Sequence, residues 1–202
     1  LKKAILEISQ QNKEFFIWYF INIKYYIFMK ILTSLFILFF YTNVFANGYD
    51  VYGFGMYDVI CDTKNDPTTD FRYERRFDNS ILDIGPEEDN FFFLKPFIGL
   101  EYTGDSAYYI LTGIYLEDNV GQLFKGKKNK IFFTPSLGVG YYDDGKGKEL
   151  GNEIQFRTTL EFNYELESKN RIALSFGHIS NANMSGKNPG VEVLSLSYQV
   201  PF

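Results

Sequence analysis

The 202-residue chain contains one histidine, and it lies two residues before a serine in Phe176-Gly177-His178-Ile179-Ser180-Asn181. In an extended strand successive side chains point to opposite faces, so His178 and Ser180 share a face. A carboxylate, Glu192, follows in the next alternating segment. A hydroxyl, an imidazole and a carboxylate are the groups that acyl transfer needs. Ser180 would be the nucleophile, His178 the general base, and Glu192 the acid that orients and stabilises the imidazole. A His-x-Ser pair is weak by itself, because a lone histidine at a strand end is usually an interfacial residue, so the surroundings matter.

His178 and Ser180 have the parity of Ile172, Leu174 and Phe176, while Arg171, Ala173, Ser175 and Gly177 take the other face. Glu192 has the parity of Leu194, Leu196 and Tyr198, against Ser195, Ser197 and Gln199. All three polar groups thus fall on an apolar face. Polar side chains are costly in hydrocarbon and less so near lipid headgroups, so a lipid substrate explains the trio better than stability does. Between the two segments, Gly186 and Asn188-Pro189-Gly190 are strong turn formers that reverse the chain and return Glu192 towards His178.

The elements that position these groups are strands. Eight alternating segments are expected at about 49–61, 68–78, 90–104, 106–117, 129–143, 152–166, 170–180 and 190–202, separated by turn clusters such as Asp143-Asp144-Gly145 and Ser168-Lys169-Asn170. In 153–166, Ile154, Phe156, Leu160, Phe162, Tyr164 and Leu166 oppose Glu153, Gln155, Arg157, Glu161, Asn163 and Glu165. In 71–77, Phe71, Tyr73 and Phe77 oppose Arg72, Glu74 and Arg76. In 131–142, Thr134, Ser136, Gly138 and Gly140 make a face small enough for a crowded lumen. Lys95, Glu101 and Glu117 also fall on inferred lumen faces. The expected fold is all-β: an eight-stranded antiparallel transmembrane β-barrel, apolar outside and charged inside. Closure satisfies every backbone donor and acceptor in lipid.

Composition agrees. The chain has 22 Phe and 16 Tyr, yet its mean hydropathy is slightly negative, which excludes a polytopic helical membrane protein. Residues 29–46 read as a secretory signal peptide: Met29-Lys30, an apolar run from Ile31 to Phe40, then Val44-Phe45-Ala46 before the expected cleavage. Residues 1–28 read as an upstream extension outside the working protein, the rival being an uncleaved anchor, and residues 47–202 as the barrel. Residues 1–46 hold five Lys and two Glu, so the rest carries a net charge of −8 against −5 for the whole chain. That argues against nucleic acid as a partner. The single cysteine, Cys61, excludes an intramolecular disulfide and has no neighbouring base.

The segment His178-Ile-Ser-Asn-Ala182, followed by Gly186-Lys-Asn-Pro-Gly-Val-Glu192, closely resembles the lipid A 3-O-deacylase (PagL-type) family of outer-membrane acyl hydrolases. The family's His-x-Ser-Asn-Ala motif, its Asn-Pro-Gly loop and its Glu two positions later are present in order. The resemblance implies a bacterial outer-membrane enzyme that releases the 3-position acyl chain of lipid A, the lipid anchor of lipopolysaccharide. It assigns Ser180, His178 and Glu192 the roles above, and places Asn181, Asn188 and the backbone around Gly190 as candidate oxyanion donors. It implies no metal or cofactor, and the sequence shows no ligand cluster. The terminal strand ending in Phe202 looks like the signal read by the outer-membrane assembly machinery. The alternatives are a non-catalytic structural or adhesive barrel and a phospholipase-like esterase on the same scaffold.

Overall fold

Alternation of apolar and polar side chains becomes strand structure when one face is apolar and the other finds charged partners. The computed structural model describes residue 30 and residues 47–60, 67–83 and 93–202. The chain divides into two units, Leu1–Val44 and Phe45–Phe202, and only the second is discussed. The expected leader, the upstream extension and Cys61 lie outside the described residues.

The strands are β1 (Gly48–Tyr57), β2 (Thr68–Phe77), β3 (Leu82–Asp83), β4 (Phe93–Thr103), β5 (Tyr108–Tyr115), β6 (Asp118–Asn119), β7 (Ile131–Phe133), β8 (Ser136–Asp143), β9 (Ile154–Glu165), β10 (Arg171–Ser180) and β11 (Val191–Pro201). β5 and β6 run in one register against β8 and β7, with Tyr115 opposite Ser136 and Asp118 opposite Phe133. Each pair is therefore one stave with a short break. Pro135 lacks an N–H and interrupts one of them, but its carbonyl still accepts from Leu116 N at 3.0 Å. The order β9, β10, β11, β1, β2, β4, β5–β6, β7–β8 and back to β9 closes a ring of eight antiparallel staves. β3 is a small addition paired to β4. The eight-stranded barrel is as expected. The first strand ends earlier, at Tyr57, because Asp58 takes a positive φ of 62° and turns the chain inward.

The outer wall is apolar. Phe54, Phe71, Leu100, Ile110, Leu160 and Leu196 are exposed. Exposed tyrosines form a continuous row of paired positions, Tyr164 and Tyr198 on either side of Ile172, then Tyr52 and Tyr73. The hydroxyl of Tyr73 donates to Asp50 and the amide of Asn170 donates to the Tyr198 hydroxyl, both towards the end where β1 begins and β11 finishes. Tyrosines so directed mark the boundary between hydrocarbon and headgroups. Tyr102, Tyr108 and Tyr141 stand near the opposite end. Phe77 has outward parity but is buried, with Phe202 edge-on to it at 6.3 Å.

The lumen is filled by charges. Glu161 binds Arg72 at 3.1 Å and Arg76 at 2.6 Å, Glu74 binds Arg76 at 2.7 Å, and Arg157 bridges Glu74 and Glu101. Arg171 binds Glu117 at 2.7 Å, and Lys95 binds Asp78. Buried charges persist only when paired and hydrogen-bonded like this. Gly138 is buried beside them, and a Cβ there would lie 2.9 Å from a Leu111 methyl and 3.2 Å from the Phe97 ring, so these side chains would have to shift. Towards the end where β1 finishes and β11 begins the interior becomes apolar, with Tyr57, Tyr109, Tyr142, Leu150, Ile179 and Val191 buried together. This plug backs the surface on which His178 stands.

Candidate active site

The β10–β11 ladder sets the geometry. Along β10, Ala173, Ser175, Gly177 and Ile179 are buried, while the residues between them face outward. His178 and Ser180 fall in the outward set, and both are half-buried. The register pairs His178 directly with Glu192. His178 Nδ1 lies 3.0 Å from Glu192 Oε1, with the side chains 44% and 22% exposed. A carboxylate accepts only, so Nδ1 donates in this bond, and in a neutral ring Nε2 is then the acceptor that a general base needs.

Gly190 explains how the imidazole is seated. Its φ is +65°, and a Cβ on it would lie 2.8 Å from His178 Cε1 and 3.4 Å from Nε2. The ring therefore leans over this glycine, towards the position across the ladder from Ser180. No hydrogen bond joins the Ser180 hydroxyl to the imidazole among the described residues, and such contacts commonly close only around substrate.

The other two polar candidates differ from each other. Asn181 is fully buried. Its amide nitrogen contacts Leu150 O at 2.8 Å, Ser185 Oγ at 2.9 Å and Lys187 O at 2.7 Å, and its backbone N–H donates to Asn188 Oδ1 at 3.0 Å. Its donors are thus engaged in holding the loop rather than turned towards the outer face. Asn188 is half-buried, and its amide donates to Asn183 Oδ1 at 3.1 Å. Gly151, at φ +78°, lets the β8–β9 loop press against this one, since a Cβ there would sit 2.1 Å from Lys187 O.

One neighbour was not singled out from sequence. Thr158 is exposed on the outer wall and pairs with His178 from the β9 side. Its signal was legible: it is the one polar side chain in the outward run from Ile154 to Tyr164. Among the described residues no group of His, Cys, Asp and Glu is arranged to hold a metal ion.

The family model described as lipid A 3-O-deacylase (PagL) matches residues 93–201, more than half of the chain. The chain belongs to this family. The lipid A deacylase PagL of Bordetella bronchiseptica is 34% identical over 55 residues. That match spans 27% of this chain and 31% of the relative's length. A crystal structure of the outer membrane enzyme PagL superposes with a TM-score of 0.56 at 16% identity, covering 76% of this chain and 99% of the other. Its likeness is one of fold. As a PagL-family chain folded into a closed barrel with an apolar wall, this protein belongs to the bacterial outer membrane.

Proposed function

We propose that this protein is an esterase that removes the 3-O-linked acyl chain of lipid A, using Ser180 as nucleophile, His178 as general base and Glu192 as the group that orients the base. The observation that carries it is the His178–Glu192 pair at 3.0 Å on the lipid-facing wall, with Ser180 two residues along the same face. A polar trio there has no core to serve, and its substrate must reach it sideways from the membrane.

The proposed steps are those of a serine hydrolase. His178 Nε2 takes the Ser180 proton as Oγ attacks the ester carbonyl carbon. Glu192 stays ionised and stabilises the imidazolium that forms. The tetrahedral intermediate collapses to an acyl-enzyme, and the departing sugar oxygen takes the proton from Nε2. Water then attacks, again through His178, and the fatty acid leaves with Ser180 restored. We assign the oxyanion to Asn188 and the backbone around Gly190, because the Asn181 amide is engaged within the loop. Asn181 acts through Asn188, whose side-chain oxygen it fixes. We also read β11, ending in Phe202, as the segment recognised by the assembly machinery.

Mass spectrometry of lipid A and phospholipids from cells with and without the protein tests the proposal. Loss of one acyl chain from lipid A, dependent on Ser180, is expected. Cleavage of phospholipids alone would make it a different esterase, and no change in either lipid would leave a structural barrel.

A further inference from the structure

Between β6 and β7 the sequence reads Val120-Gly-Gln-Leu-Phe-Lys-Gly-Lys-Lys-Asn-Lys130, four lysines and no acidic residue in a chain of net charge −5. The segment lies at the end of the barrel where β1 begins and β11 finishes, opposite His178. It is firmly built. Asn119 Oδ1 accepts from Gly121 N at 3.1 Å and Asn129 N at 3.0 Å, and Asn119 Nδ2 donates to Asn129 O at 2.6 Å. Gly126 N donates to Gly121 O at 2.7 Å. Gly121 packs so tightly on Lys127 O that a Cβ would lie 2.1 Å from it.

A pinned neck displays its tip. Phe124, just after the single helical turn Val120–Leu123, is 82% exposed. Lys130 pairs with Glu167, whereas Lys125, Lys127 and Lys128 take part in no ion pair among the described residues. The depth is set by the wall. Ile131 pairs with Tyr164, and Glu165 N donates to Lys130 O, so the loop leaves the barrel at the tyrosine that marks the hydrocarbon boundary. An exposed phenyl ring among unpaired ammonium groups at that depth matches an interface with an apolar layer beside phosphates.

We propose that the 120–130 loop docks on anionic phospholipid headgroups of the leaflet at its own end of the barrel, with Phe124 at the acyl boundary and Lys125, Lys127 and Lys128 on the phosphates. This is independent of the hydrolytic site, which lies at the other end. The chain's own acidic segment, with Glu87, Glu88 and Asp89, is the competing occupant.

The full chain, refolded in detergent micelles doped with phosphatidylglycerol or phosphatidylcholine, is assayed for retained lipid by native mass spectrometry. Wild type is expected to retain phosphatidylglycerol in preference. Lys125→Gln/Lys127→Gln/Lys128→Gln is expected to lower that affinity by about tenfold or more, and salt at about 0.5 M to act likewise. Phe124→Ser should weaken both lipids. Acyl release from lipid A should be unchanged in these variants. Equal phosphatidylglycerol retention by wild type and the triple variant would overturn the proposal. So would a preference that emerges only after Glu87→Gln/Glu88→Gln/Asp89→Asn, which would give the loop to the acidic segment.

Discussion

His178 and Glu192 are cross-strand partners on the outside of the barrel, Nδ1 to Oε1 at 3.0 Å, while their neighbours Ile179 and Val191 are fully buried on the inside. The ladder fixes the backbone of both members and the apolar plug holds the ladder, so the imidazole is oriented before any lipid arrives.

Ser180→Ala should leave a folded, heat-modifiable barrel and lower acyl release by about 10⁴-fold or more, since nucleophile removal costs the whole covalent route. Lipid A mass spectrometry with gel mobility checks both. Full activity in this variant would remove Ser180 as the nucleophile.

Glu192→Gln keeps the size of the side chain but gives up its charge, and its amide can hold the imidazole in the wrong tautomer. A fall in kcat of about 10²- to 10⁴-fold is expected, with KM little changed. An unchanged kcat would argue against Glu192 as the group that orients His178.

Gly190→Ala puts a methyl group 2.8 Å from His178 Cε1 at a φ of +65°. The ring must move off its seat, so kcat should drop by more than about tenfold while the barrel still folds, at a cost of about 1 kcal/mol for the left-handed backbone. Unaltered kinetics would show that the imidazole does not need this position.

Asn181→Ala removes three contacts to Leu150 O, Ser185 Oγ and Lys187 O and should destabilise the loop by about 1–3 kcal/mol. Protease sensitivity within 181–190 should rise and kcat fall. If activity falls without any loosening of the loop, Asn181 acts directly on the reaction.

Glu161→Gln removes one carboxylate from the lumen network and leaves Arg72, Arg76 and Arg157 to share Glu74 and Glu101, one positive charge in excess. A loss of about 3–5 kcal/mol in unfolding free energy is expected, read by urea titration of the refolded protein. The folded fraction should keep its activity, because the network touches none of the proposed catalytic groups.

Much of this was legible in the residues. Period-2 alternation determined eight staves and their faces, because a strand has only two sides and each was chemically uniform. It therefore placed His178, Ser180 and Glu192 outside, and the Arg72, Arg76, Arg157, Glu74 and Glu161 network inside. What the alternation could not contain was register, since shifting a partner strand by two residues preserves every face. Only the closed ladder decided that Glu192 stands opposite His178, that Thr158 flanks it from the other side, and that Gly190 lies beneath the imidazole. The contacts of Asn181 were likewise decided by a distant segment, because its acceptor on Leu150 belongs to another loop that meets it only when the barrel closes.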